Sequence, residues 1–577
     1  MGQIELPLGL FQSTGIPIPE ESSPGRTPRS AIILPPLGRS RVSRTVNTNE
    51  LIEALMNPDA YVGPVGDVER LETHISLLFF VGKRVYKVKK SVDLGFLDFT
   101  TLERRKFYCE EEVRLNRRLS PEVYLGVVPI VANDAGGLSV GGVGEAIEWA
   151  VEMQRLPAAA MLDARLEAGE VDNQMIRELA HLLAGFHAGA RTGEGVDSFG
   201  APEAVAELVR STLTALEPFA SEPDVPTESG VRALSLDRLS FLKDSAEAFL
   251  AKSRDLMEER IREGRIRDGH GDLHAGNICY RPGGIAIYDC IEFSEAFRCS
   301  DVACDLAFLA MDLDYRGFHA FAAYLVRQYQ AQSADPRLGE LIGFYKQYRA
   351  VVRAMVACVT ARELEAGSAE ARSKLAEAER YLNLATSYAL PPCLVLMSGL
   401  PGSGKSTIAR GLARPIHALV HRSDVRRKSL LETPAPIPKE SGFSQGLYSP
   451  DRIELTYANL LESTLHDLSL GRSVIVDATF SKRDRREEFI RVAGELSVPT
   501  YVVETFASEE ATRDRLLQRA EDRHEPSSAD FSVYLEARQR YEPPTELPDS
   551  MLIRVDTEEC NAQQAASLLL ERRAKVG

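Results

Sequence analysis

Two stretches of this chain carry residues whose types and spacing suit phosphoryl transfer. "HGDLHAGN" runs from His270 to Asn277, and "IYDCIEF" follows from Ile287 to Phe293. Such a transfer needs an acceptor hydroxyl held in line, a base near it, and metal bridging the phosphates. Asp272 can act as the base, and the oxygens of Asn277 and Asp289 can share Mg²⁺. Farther on, "GLPGSGKS" fits G-x-x-x-x-G-K-[ST] through Gly399, Gly404, Lys405 and Ser406. The run Gly399, Leu400, Pro401, Gly402, Ser403, Gly404, Lys405, Ser406, Thr407 would then wrap a phosphate chain. Backbone N–H groups and a helix N-terminus face the oxygens, Lys405 neutralises the β and γ oxygens, and Ser406 binds Mg²⁺.

Regular elements must position these groups. Ile278–Tyr280 and Ile285–Tyr288 read as short strands about the turn "RPGG", a hairpin that returns Asp289 beside Asn277. "HISLLFFVGKRVYKVKK" (74–90) gives two β-rich runs joined at Val-Gly-Lys-Arg, after a helix over "LIEALMNPDAY" (51–61) that stops at Asn-Pro. "TTLERRKFYCEEEVRLNRRL" (100–119) is a charged helix, and "YLGVVPIVA" and "AIEWAVEMQRL" supply further strands. Apolar recurrence at i, i+3 and i+4 predicts helices over 172–191 and 236–264, and another helical run ends at Pro391-Pro392. "CLVLMSG" (393–399) then opens a unit of alternating strands and helices. In that unit "SVIVDATF" is a strand ending in Asp477, at a carboxyl end where such sheets bind ligands. "HRSDVRRKSL" places Asp424 where a second strand ends, with Arg427 on the same side if a helix begins there. A carboxylate to take the acceptor's proton and a cation to hold the acceptor are what that chemistry asks for.

The chain's 577 residues exceed one ordinary core. We expect a Pro-, Ser- and Arg-rich mobile tail over 1–45, one domain over 46–390 and another over 391–577. A net charge of -16 argues against long nucleic acid, which calls for a basic footprint, but not against a nucleotide or an RNA end. Eight cysteines without a C-x-x-C pattern point to free thiols rather than disulfides or zinc. There is neither an apolar run near eighteen residues nor a signal-peptide core, so we expect a cytoplasmic protein with no membrane partner.

The C-terminal signatures resemble small P-loop kinases: gluconate- and shikimate-kinase-like enzymes, zeta toxins and the kinase half of 5′-polynucleotide kinases. That resemblance implies an α/β fold with a parallel sheet, a nucleotide site that includes Asp477, and an arginine-bearing lid. "RDRLLQRAEDRHEPSSAD" (513–530) is the lid candidate, with Arg519 and Arg523 reaching ATP phosphates. "HGDLHAGN" with "IYDCIEF" resembles the catalytic and metal-binding loops of aminoglycoside phosphotransferases, which implies an α+β protein-kinase-like domain over roughly 50–390. It further implies an ATP lysine on an early strand, Lys87 or else Lys89, and a helix glutamate that fixes it. Glu111 is preferred over Glu112 because it puts Leu115 and Leu119 on one helical stripe. The early hairpin departs from the family in having no G-x-G-x-x-G.

The whole chain resembles bacterial fusions of the two kinds of domain. It is expected to use ATP, or alternatively GTP, with Mg²⁺ at two sites, phosphorylating hydroxyls of small molecules. The alternative expectation is a single P-loop kinase, acting on nucleotide or RNA 5′-hydroxyl ends, gated by a kinase-like sensor. Aminoglycoside resistance is a further, weaker implication.

Overall fold

The computed structural model describes residues 47–63, 65–95, 97–133, 137–221, 234–416, 418–429, 450–469, 472–521 and 531–576. The expected tail, residues 430–449 and Arg523 lie outside the described residues. The chain forms two compact units, one of them taking the N-terminal residues to Ala201 with Met257–Leu309 and Tyr324–Pro336. The other takes Pro202–Leu256, Ala310–Ala323 and Arg337–Gly577.

The first unit is built on six antiparallel strands: β1 (Val68–Glu72), β2 (Ser76–Val81), β3 (Arg84–Lys89), β4 (Tyr124–Ala132), β5 (Leu138–Val140) and β6 (Ala146–Gln154). Their order is β1-β2-β3-β6-β4-β5. The alternation of "RVYKVKK" decides what each face meets. Val88 packs with Phe79, Leu51 and Leu55 on one face, and Val85 packs with Cys109 and Val113 of the helix Leu102–Asn116 on the other. Lys87 and Lys89 share the face of Val85, because strand side chains alternate, and so they meet that helix. Arg105 ties the helix to β6, its Nε lying 3.0 and 2.9 Å from the two carboxylate oxygens of Glu148. Beyond the sheet, β7 (Ile266–Asp268) pairs with β10 (Cys299–Asp301), and β8 (Ile278–Arg281) with β9 (Gly284–Ile287) in the expected hairpin.

The second unit contains five parallel strands: β11 (Leu394–Ser398), β12 (Ala418–Arg422), β13 (Ser473–Asp477), β14 (Thr500–Phe506) and β15 (Leu552–Asp556), in the order β12-β13-β11-β14-β15. Alternate residues of β11 feed two cores. Val395 and Met397 pack with Ile408, Leu412, Leu569 and Leu570, while Leu394 and Leu396 pack with Leu460, Phe489 and Val502. Both faces are thus covered by helices, as buried parallel sheets require. Within this unit the helix Ala369–Ala389 also meets the helix Ala562–Val576. The buried guanidinium of Arg238 donates to Asn383 Oδ1 at 2.8 Å and to the Ser567 carbonyl at 3.3 Å, and Ser567 Oγ donates to Glu379 at 2.6 Å.

Candidate active sites

In the first unit the predicted groups converge. Lys87 Nζ lies 2.7 Å from Asp289 Oδ1 and 2.8 Å from Glu112 Oε1. The preference for Glu111 is therefore corrected: Glu111 turns outward and pairs with Arg114 at 2.6 Å. The reason is helical phase. The buried residues of this helix are Arg105, Cys109, Glu112, Val113, Leu115 and Asn116; Leu115 is buried as expected, but Glu111, about 100° round the axis from Glu112, lies at the edge of that face. Lys89 Nζ takes the other oxygen of Glu112 at 2.7 Å and also pairs with Glu292. Burial opposes the charge on Glu112, but the two lysines prevail and bring its pKa down to about 2. Burial likewise opposes the charge of Lys87, yet Asp289 and Glu112 raise its pKa well above the ordinary lysine value.

Asn277 ends the single helical turn Ala275–Asn277 and turns its amide nitrogen to Asp272, donating to the backbone carbonyl at 3.0 Å and to Oδ2 at 3.2 Å. That commits the nitrogen and leaves the amide oxygen as the atom that could hold a metal. The Asp289 backbone is left-handed, φ 64°, and neighbouring groups hold it there. Its N–H donates to Tyr124 Oη at 3.1 Å, the N–H of Cys290 donates to Asn116 Oδ1 at 2.9 Å, and Ser120 Oγ donates to the Ile287 carbonyl at 2.6 Å. A cluster of oxygens from an amide and carboxylates suits Mg²⁺ by donor chemistry.

The catalytic stretch hangs from a buried carboxylate the sequence did not flag. Asp305 accepts the backbone N–H of His270 at 2.7 Å and of Gly271 at 2.9 Å, and His187 Nε2 lies 3.2 Å away. Burial opposes its charge, but His187 and the His270 N–H hold its carboxyl below the usual range. His270, fully buried, accepts the Asp272 N–H at Nδ1 (3.3 Å) and faces the Tyr288 carbonyl with Nε2 (3.1 Å), which assigns its proton to Nε2. His274 Nε2 lies 3.5 Å from Asp272 Oδ2.

Burial lowers the pKa of His270 below its ordinary 6.5. Between that depressed value and 6.5 the unfolded chain binds the extra proton, so the contribution of His270 to stability is full above pH 6.5 and is lost as pH falls. Replacing it in His270→Gln should cost about 1–3 kcal/mol at pH 7.5. The deficit should shrink toward pH 5.5 in parallel denaturant titrations of parent and variant.

In the second unit β11 runs into the loop 399–404, and the helix Lys405–Ala413 starts directly after it. Gly399 and Gly404 have φ of 140° and 89°, and Cβ atoms there would lie 2.3 Å from the Thr505 carbonyl and 3.0 Å from Thr557 Cγ2. Lys405 folds back over the loop, donating to the Leu400 carbonyl at 2.7 Å, and Ser403 Oγ lies 2.8 Å from Thr505 Oγ1. Leu400, Pro401 and Gly402 complete the loop, while Ser406 and Thr407 form the first helical turn.

Asp477 ends β13 beside β11, buried, with Arg422 Nε of β12 at 3.3 Å. Asp424 stands at the start of the helix Ser423–Ser429, and Arg427 is a residue of the same helix. Arg519 is a residue of the helix Glu509–Glu521. Sequence reasoning passed over Arg515, one turn earlier, which donates to Thr557 Oγ1 at 2.7 Å and to its carbonyl at 3.0 Å. Thr557 Oγ1 donates in turn to the Ser403 carbonyl at 3.1 Å. It likewise missed Arg486, fully buried, which fixes the turn after Asp477 by donating to the Phe480 carbonyl at 2.8 Å.

Residues 104–341 match the model of the phosphotransferase enzyme family, and residues 394–544 match that of an AAA domain. Together with the lysine–carboxylate constellation and the P-loop, these define an ATP-dependent kinase with phosphotransferase activity. The chain is 32% identical over 481 residues to Uncharacterized protein Rv2004c of Mycobacterium tuberculosis, spanning 82% of this chain and 91% of that one. It belongs to the same family, an aminoglycoside-phosphotransferase-like part followed by a P-loop kinase part.

Among solved structures it is similar to a choline/ethanolamine kinase family protein from Mesorhizobium loti, at 15% identity over 58% of this chain and 97% of that one, TM-score 0.34. It is also similar to a gluconokinase from Sinorhizobium meliloti, at 19% identity over 32% and 95%, TM-score 0.23. Among the described residues no helix is long and apolar enough to cross a membrane.

Proposed function

We propose that each unit carries its own phosphoryl-transfer site, and that both transfer the γ-phosphate of ATP, with GTP as the alternative donor, to hydroxyl groups of small molecules. The observation that carries this reading is the convergence in the first unit of Lys87 with Glu112 and Asp289 at 2.7–2.8 Å, beside the bonded pair Asp272 and Asn277. A site that had lost its chemistry would have no reason to keep every group the reaction needs.

Lys87 holds nucleotide phosphate, and Asp272 orients the acceptor hydroxyl and takes its proton. Mg²⁺, held by Asn277 and Asp289 here and by Ser406 in the P-loop, would neutralise charge on the phosphates when bound. In the second unit Lys405 serves the donor phosphates, Asp477 stands beside them, and Asp424 with Arg427 serves the acceptor. Arg519 and Arg523 would close on the nucleotide. We place the domains at 46–390 and 391–577. The working compartment is the cytoplasm, where the eight free thiols stay reduced.

One observation favours a second reading. Only Gly82 and Lys83 separate β2 from β3, too short a turn to fold over phosphates as a glycine-rich lid. In that reading the first unit senses a nucleotide without turning it over and gates the P-loop kinase, whose acceptor is a nucleotide or RNA 5′-hydroxyl end. Transfer from γ-labelled ATP into a bacterial small-molecule extract separates the two. Labelled products should vanish in two distinct sets with Asp272→Ala and with Lys405→Ala. Loss of all products in Lys405→Ala, with none lost in Asp272→Ala, establishes the sensor instead.

A further inference from the structure

The lysine–glutamate pair of the first unit is embedded in a larger buried ionic group. Glu112 faces two lysines: Oε1 forms an ion pair with Lys87 at 2.8 Å, and Oε2 accepts a hydrogen bond from Lys89 at 2.7 Å. Lys89, with no side-chain exposure, also bonds Glu292, three residues past Asp289 on the same loop. The ring of Phe99 lies 5.0 Å below its ammonium. Lys87, Lys89, Glu112, Asp289 and Glu292 sum to a formal charge of -1.

Burying a second ion pair behind the first is costly, and apolar residues of like volume would pack there at no such cost. What the pair adds is geometry. Lys89 bonds Glu112 and Glu292 where Lys87 bonds Asp289, and its side chain is sealed where that of Lys87 is slightly open. It therefore joins β3 to the loop of Asp289 by a strut that an arriving phosphate cannot reach.

We infer that Lys89 and Glu292 are positioning residues of the kinase-like site: they lock Glu112 and the Asp289 loop so that Lys87 can exchange Asp289 for nucleotide phosphate without moving. The inference rests on the reading that this unit binds ATP at Lys87. When phosphate replaces Asp289 at Lys87, Glu112 Oε1 still faces the ammonium, and Lys89 still holds Glu112 at Oε2. With Lys89 absent, Glu112 would be free to rotate toward whichever partner remained. The two lysines also hold the Glu112 carboxyl below the usual range against its burial, so losing Lys89 raises the pH at which Glu112 is protonated.

The test uses the full chain in a Lys405→Ala background, with Mg-ATP as the probe and γ-phosphate release or transfer as the rate. The double variant Lys89→Met/Glu292→Gln removes one charge of each sign and keeps the formal charge at -1. It should melt near the parent, turn over about 10–100-fold more slowly at saturating Mg-ATP, and lose activity at a higher pH on the acid side. Parent rate and parent pH profile in the double variant would overturn the inference. Should the double variant not fold, Lys89→Arg, which keeps the charge and changes the strut's length, is expected to fold and to slow turnover. A parent rate there overturns the inference equally. Lys87→Met in the same background keeps the two failures apart. If it leaves Mg-ATP binding and turnover unchanged, the nucleotide reading itself is wrong; if it abolishes them while the Lys89 variants do nothing, only the positioning role falls.

Discussion

Replacing Asp272 by Asn should lower phosphoryl transfer through the first unit about 10²–10⁴-fold while leaving Mg-ATP bound. The substitution is nearly isosteric, so the bond from the Asn277 amide to the backbone carbonyl of residue 272, at 3.0 Å, survives. The His270–Asp305 support lies on the backbone and is untouched. What disappears is the carboxylate proposed to accept the hydroxyl proton. Because the nucleotide contacts are proposed to belong to Lys87, Asn277 and Asp289, the loss should fall on kcat and not on the affinity for ATP. Initial rates with γ-labelled ATP in a Lys405→Ala background, beside nucleotide titration, check both halves. Unchanged transfer would remove Asp272 from the role of base.

Gly399→Ala should unsettle the second unit far more than any change at Lys405. Its Cβ would stand 2.3 Å from the Thr505 carbonyl and 2.8 Å from Ser403 Oγ, at a φ of 140° that side-chain-bearing residues rarely adopt. Thr505 belongs to β14, paired directly to β11, so the clash cannot be relieved by a side chain swinging away. Overpacking and backbone strain together cost about 2–5 kcal/mol. A calorimetric scan should show a lowered transition for Gly399→Ala, with loss of ATP binding. Lys405→Ala should lose the binding and keep the transition. A parent-like melting profile for Gly399→Ala would show that the loop is not built on this close approach.

The elements that carry the chemistry were legible because each is local. "RVYKVKK" alternates cleanly, "HGDLHAGN" and its hairpin span two dozen residues, and the P-loop is one contiguous motif. The choice between Glu111 and Glu112 was not, since three consecutive glutamates give no phase. Phase came from Arg105, Cys109 and Asn116, two of them polar residues that no apolar pattern would mark as buried. Strand β1 escaped notice because only Val68 of its five residues is buried, the mark of an edge with one face wet. Asp305 and His187 stand 118 residues apart and could be joined only by the fold. Arg515 and Arg486 read as ordinary helix charges until their carbonyl partners were in place.

The buried Arg238 sets a timetable for the nascent chain. Its acceptor on Ser567 is 329 residues downstream. At about 5–20 residues per second, a ribosome needs about 15–65 s to cover that distance. For that interval Arg238 has Asn383 at best, and the apolar stripe of the last helix, with Leu569 and Leu570, has not yet emerged to cover β11. All segments of the first unit have been made by Pro336, well before the strands of the second unit. During synthesis the first unit can therefore finish early, attached to helices awaiting their last partner.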